Sequence, residues 1–114
     1  MIADDEVDVV QTVRIRLEAN GYAVSDTMGE RTVKDVLAHK PDLLLLDVMM
    51  PGMDGLETLQ QIKKKWPQTV VIMITALKDE IRINKAKKFG AANYIVKPFS
   101  LSYLETELMK QIEA

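Results

Sequence analysis

Cysteine is absent from the 114-residue chain, and histidine and tryptophan occur once each. Without thiols there are no disulfides, no thiolate nucleophile and no Cys-based zinc site, and a reducing compartment is expected. An excess of one charge is also lacking. Fifteen Lys and Arg stand against 17 Asp and Glu, for a net charge of −2. Both signs are mixed along the chain, which argues against a nucleic-acid coat. Only five glycines and four prolines occur, and there is no repeat, low-complexity segment or linker. No apolar run approaches the roughly 18–20 residues that would span a bilayer. The first residues do not pair a basic segment with an apolar one, so no signal peptide is expected. What is present is ordinary globular material, 47% apolar and 28% charged, at a length suited to one core of about 100–150 residues. The expectation is one cytoplasmic domain over residues 1–114, with no membrane segment and no direct nucleic-acid binding.

Short apolar runs alternate with amphipathic stretches. Strands are predicted at Tyr22–Asp26, Leu43–Leu46, Val70–Ile74 and Asn93–Val96. The two central runs are continuously apolar, as a strand must be when helices cover both faces of a parallel sheet. Between them the spacing turns helical. Val10, Val13 and Leu17 precede Asn20-Gly21; Val33, Val36 and Leu37 precede Lys40-Pro41. Leu56, Leu59 and Ile62 follow Asp54 as a cap, Ile81, Ala86 and Phe89 precede Gly90, and Leu101, Leu104, Leu108 and Ile112 follow Ser100 as a cap. Only Met1, Ile2 and Ala3 stand before the first acids, so the first strand is short or its start is trimmed. The order is α/β throughout, (βα)5, and implies a parallel sheet between two helical layers.

In such a sheet ligands bind beyond the carboxyl ends of the strands. There the chain delivers Asp4-Asp5, then Asp47 after four leucines, Thr75-Ala76 after Ile74, and Lys97-Pro98 after Val96. Each has a bland reading: Asp5 could cap the first helix, Asp47 could be a turn acid, Thr75 could cap the next helix, and Lys97 could be a surface lysine. A cis bond before Pro98 would aim the lysine inward. Taken together they define a chemistry. Converging carboxylates repel unless a cation relieves them, and oxygen ligands suit Mg²⁺. A free oxygen of Asp47 could then attack phosphorus, with Lys97 and the Thr75 hydroxyl neutralising the phosphoryl oxygens.

The stretches Ile2-Ala3-Asp4-Asp5-Glu6, Pro41 to Gly55, Ile74-Thr75-Ala76 and Gly90 to Phe99 resemble the receiver domain of two-component response regulators. The resemblance implies a flavodoxin-like fold with strand order 2-1-3-4-5, an order carried over with the family. It implies Asp47 as phosphoacceptor, with Asp5 binding Mg²⁺ directly, Asp4 through water, and the Met49 backbone carbonyl as a further ligand. Thr75 and Tyr94 would be the switch pair, and Lys97 would pair with the phosphate; from the residues alone Tyr94 reads as sheet-edge packing. The implied partners are a sensor histidine kinase or a histidine phosphotransfer protein, docking near the first helix and the loop after the fifth strand. An output partner or effector domain would read the fourth helix (about Lys78–Phe89), fifth strand and fifth helix, and a phosphorylation-dependent homodimer is among the assemblies receivers form. Such a protein is a switch that catalyses only its own phosphorylation and dephosphorylation.

Two rivals remain. One is a degenerate receiver acting as an interaction module without phosphorylation. The other is an aspartate-nucleophile phosphatase, which wants an acid two positions after its nucleophile, where this chain has Met49. His39 reads as a loop residue, Lys63-Lys64-Lys65 as a solvated helix face, Trp66 as cover for a helix end, and the methionines as packing.

Overall fold

The computed structural model describes residues 1–50, 52–76 and 79–113, the side chains of Met53, Ile112 and Glu113 excepted. Pro51 of the motif after Asp47, Lys78 at the expected start of the fourth helix and the Ile112 side chain of the last stripe lie outside the described residues.

The elements run β1 (Ile2–Ala3), α1 (Val7–Ala19), β2 (Asp26–Thr27), a 3₁₀ turn (Gly29–Arg31), α2 (Thr32–His39), β3 (Leu43–Asp47), β4 (Met49–Met50), β5 (Met53–Asp54), α3 (Gly55–Lys65), β6 (Val70–Thr75), α4 (Glu80–Lys88), β7 (Asn93–Val96) and α5 (Leu101–Glu113). Five strands form a parallel sheet in the order β2-β1-β3-β6-β7, and β4 and β5 form a separate antiparallel ribbon. With that ribbon set apart, the order is the expected 2-1-3-4-5.

The continuous apolar runs are explained by two cores. Ala3, Leu44, Leu46, Val71 and Met73 turn to one face and pack with Val36, Leu59, Ile62 and Ala86 of α2, α3 and α4. Ile2, Leu45, Ile72, Ile74 and Ile95 turn to the other and pack with Val10, Val13, Leu17, Leu104 and Leu108 of α1 and α5. Successive strand residues point to opposite faces, so a sheet covered on both sides needs apolar residues at every position.

Local signals act as predicted at two ends: Asp54 accepts hydrogen bonds from the N–H groups of Leu56 and Glu57, and Ser100 Oγ from Tyr103. The cap of α4 is Asp79, which accepts from Ile81 and Arg82, and not Thr75. Trp66 ends α3, and the Lys40 ammonium lies 4.6 Å from its ring centroid.

Three expectations are corrected. The second strand is Asp26–Thr27 rather than Tyr22–Asp26, because its ladder is with the two residues of β1, Ile2 to Asp26 and Ala3 to Thr27. Lys63 is not part of a solvated face: its ammonium bends back to the Pro67 and Thr69 carbonyls, at 3.0 and 2.8 Å, and burial lowers its pKa. Asp5 does not cap α1, whose N-cap position is Glu6 and lacks a side-chain cap bond.

Candidate functional site

β1 and β3 are neighbours, with Ala3 paired to Leu46, so Asp4 and Asp47 leave the sheet side by side at its carboxyl edge. Each side chain is fixed by the backbone two residues on. Asp4 Oδ1 accepts the Glu6 N–H at 2.9 Å, and Asp47 Oδ1 accepts the Met49 N–H at 3.0 Å. These are Asx turns, which lock a carboxylate rotamer by a local hydrogen bond. The other oxygen of each is thereby turned to a common point, where the Lys97 ammonium stands 2.9 Å from Asp4 Oδ2 and 3.1 Å from Asp47 Oδ2.

Lys97 comes from the end of β7. Its N–H donates to the Thr75 carbonyl at 2.7 Å, Thr75 pairs with Val96, and the Lys97–Pro98 bond is cis. The closest partner of its ammonium is Glu6 Oε1, at 2.6 Å. Asp4 and Asp47 are buried, whereas the Glu6 side chain is 57% exposed.

The approach to Asp47 is shaped by a glycine. Gly55 opens α3 and donates its N–H to the Val48 carbonyl at 3.2 Å; a Cβ there would lie 2.5 Å from the Val48 Cα. Only glycine lets the helix start this close to the strand end. The ribbon of Met49–Met50 with Met53–Asp54 fills the turn between them.

Electrostatics follow from burial and crowding. Burial pushes the Asp47 carboxyl above the ordinary 3.8 and the Asp4 charge adds to this, while the Met49 N–H and Lys97 oppose it. Burial alone would lower the Lys97 pKa, but Glu6, Asp4 and Asp47 around it outweigh that and raise it overall. Burial also raises the Tyr94 phenol, with Arg82 opposing and Asp79 and Asp47 adding. Tyr94 is half-buried on β7, packed against the α2–α3–α4 core, and Thr75 is fully buried at the end of β6.

Of the residues singled out in the sequence, the fold gathers Asp4, Asp47 and Lys97, with Thr75 bonded to the Lys97 backbone. Asp5 is exposed and stands outside the carboxylate group. Sequence reasoning gave Glu6 no role, yet Asp4, Glu6 and Asp47 each offer an oxygen within 4.8 Å of the others. The signal available was position: Glu6 immediately precedes the first helix, where the chain folds back over the strand end. Met49 carries the amide that holds Asp47, and its exposed side chain places its sulfur 3.8 Å from Arg82 Nη1.

An all-oxygen set suits a hard divalent cation such as Mg²⁺. The fit has a second support: Asp4 Oδ2 is buried, and although it lies at ion-pair distance from Lys97 it receives no well-directed hydrogen bond. Asp4 and Asp47 are the buried side chains that would face such an ion.

The geometry defines a class: a doubly wound α/β domain with carboxylates and a lysine assembled at the carboxyl edge of its sheet, ready for phosphate or a cation. The family model of the response regulator receiver domain matches residues 1–109, and the chain belongs to that family. It is 38% identical over 109 residues to the probable transcriptional regulator ycf27 of Cyanidium caldarium, covering 95% of this chain and 43% of that protein. It is 39% identical over 101 residues to the transcriptional regulatory protein ResD of Bacillus subtilis, covering 88% and 42%. The chain therefore spans less than half the length of these curated relatives. Among solved structures it resembles the BeF₃-activated receiver domain of Klebsiella pneumoniae RstA, at 25% identity and a TM-score of 0.88, covering 99% of this chain and 97% of that one. Among the described residues no helix is long and apolar enough to cross a membrane.

Proposed function

We propose that residues 1–114 act as one phosphorylation-dependent signalling switch, with Asp47 as phosphoacceptor. The observation that carries this reading is the shared pose of Asp4 and Asp47 about Lys97 at the carboxyl edge of the sheet. An Asp47 oxygen attacks the phosphorus of a phosphohistidine presented by a sensor kinase or phosphotransfer protein. The new O–P bond forms as the N–P bond breaks, and the imidazole leaves with the electron pair and takes up a proton. Lys97 then pairs with a phosphoryl oxygen and Thr75 approaches another. Asp4 and Asp47 would hold Mg²⁺, with Asp5 and the Met49 carbonyl as the further ligands the family resemblance implies, and the ion would supply neutralisation of the charge gathering on the transferring group.

The donor is expected to dock over a groove of about 530 Å³ whose lining includes Glu6, Asp8, Val9, Thr12, Lys97 and Phe99. It joins the site to α1 and to the loop after β7. Output follows from the Thr75–Tyr94 pair, shifting an existing equilibrium at the α4–β7–α5 face toward an effector or a second copy. The BeF₃-activated state of the RstA receiver supports the same chemistry here.

The test is to incubate the protein with acetyl phosphate and Mg²⁺ and weigh it intact. A gain of about 80 Da, the mass of a phosphoryl group, that disappears in Asp47→Asn is expected. A folded protein that gains nothing is a degenerate receiver. Steady turnover of a phosphomonoester would instead indicate a phosphatase.

A further inference from the structure

Three carboxylates share one ammonium at this site, and they do not share it equally. Lys97 Nζ is nearest Glu6 Oε1, at 2.6 Å, and farthest from Asp47 Oδ2, at 3.1 Å. Its well-directed hydrogen bonds go to Glu6 and Asp47, while the buried Asp4 Oδ2 is left without one. Glu6 is also the one exposed member of the group; Asp4 and Asp47 have 0% and 5% of their side-chain surface accessible. Its carboxylate stands at the exposed side of the group, where the chain turns into α1, and shares an ammonium that also lies 2.9 Å from Asp4 and 3.1 Å from Asp47.

An ammonium and a divalent cation cannot both occupy the space between Asp4 and Asp47. The lysine contacts both carboxylates and has to move off them before an ion can bind, at the cost of a buried ion pair. We infer that Glu6 is a positioning residue that takes a share of the Lys97 ammonium's hydrogen bonding and so eases its displacement from Asp4 and Asp47 by a divalent cation. The inference rests on the phosphoacceptor reading for its purpose, and on the three distances for its geometry. Glu6 acts through Lys97 and not by its own charge, which solvent screens at that exposure.

The experiment is a double-mutant cycle on Mg²⁺ affinity in the unphosphorylated protein, followed through the amide shifts of Val48 and Met49. Glu6→Gln is expected to weaken Mg²⁺ binding by about three-fold or more, the scale of a partly exposed ion pair. In a Lys97→Met background the same substitution should leave the affinity unchanged, because the competing ammonium is gone. Glu6→Asp keeps the charge on a side chain one methylene shorter, and should behave like Glu6→Gln. An equal loss in both backgrounds, or wild-type affinity in Glu6→Asp, would overturn the inference while leaving the phosphoacceptor reading intact. A wild-type protein that gains the phosphoryl mass without any response to Mg²⁺ would overturn the inference alone. One that shows neither would overturn both.

Discussion

Asp4 and Asp47 hold the same pose on neighbouring strands: Oδ1 of each accepts the N–H two residues on, and Oδ2 of each faces the Lys97 ammonium. Two separate strand ends thus use one device to aim a carboxylate. The aim is set by these backbone hydrogen bonds, so it should persist when the lysine is removed.

Lys97→Met tests this directly. Removing the ammonium leaves two buried carboxylates unpaired, which should destabilise the metal-free protein by about 1–3 kcal/mol. Mg²⁺ binding should survive, and Mg²⁺ should restore most of the lost stability by binding the native state. Urea unfolding with and without Mg²⁺ measures both. Loss of Mg²⁺ binding would mean that Lys97, and not the Asx turns, holds the acids in place. Phosphorylation by acetyl phosphate should continue at a reduced level, while the response of the α4–β7–α5 face is impaired.

Asp47→Asn should stabilise the metal-free protein at neutral pH. Burial and the Asp4 charge raise the Asp47 pKa above 3.8 despite the opposing Met49 N–H and Lys97, so the ionised form is a net cost to folding. The sign follows from linkage. An acid whose folded pKa is raised contributes its full stability below the unfolded value and loses it as pH rises through the folded value. The advantage of the Asn variant should therefore shrink as pH falls and vanish near 3.8. Thermal unfolding of both proteins across the acid range checks this; a constant gap would assign the effect to packing instead of charge.

The legible parts of this molecule were those written in local pattern. β7 runs over the expected Asn93–Val96, and β3 and β6 each extend one residue past their apolar runs into Asp47 and Thr75. Those are the residues the site uses, and each is the last paired residue of its ladder, Asp47 with Ile74 and Thr75 with Val96. Capping at Asp54 and Ser100 follows from residue type and position. What pattern could not supply was set by distance in space. The hold on Lys63 depends on carbonyls of the α3–β6 loop, and the close start of α3 depends on Gly55 lying against the Val48 backbone. Glu6 escaped notice because its role exists only once Lys97, 91 positions away, arrives beside it.

Gly55→Ala should be among the costlier single substitutions in the chain. Its Cβ would fall 2.5 Å from the Val48 Cα and 2.7 Å from the Val48 carbonyl oxygen, both backbone atoms that no rotamer change can move. Relief requires the start of α3 to draw away from β3, for a loss of about 3 kcal/mol, at the upper end for overpacking. Asp47 is adjacent to Val48, so the Met49 amide that fixes it should shift as well. Phosphorylation of the folded fraction should fall more than stability alone explains. Chemical denaturation paired with acetyl phosphate labelling separates the two effects.

Asp79→Ala should loosen α4 without disturbing the acidic pocket. Asp79 accepts hydrogen bonds from the Ile81 and Arg82 N–H groups and lies 3.9 Å from the Arg82 guanidinium, so one side chain both caps the helix and anchors its first turn. Of the described α4 residues only Ala86 is fully buried, which leaves little packing to compensate for a lost cap. The expected cost is about 1 kcal/mol, the usual value for an N-cap aspartate. Its local signature should be faster amide exchange in Ile81, Arg82 and Ile83, with Leu44–Leu46 unchanged. α4 belongs to the face on which the proposed switch acts, and a weaker cap lowers the free energy needed to move it. The variant should therefore show more of the active-like amide shifts at α4 and β7 for a given extent of Asp47 phosphorylation. Unchanged exchange in α4 would mean that its contacts with α3 and β7, and not its cap, set its stability.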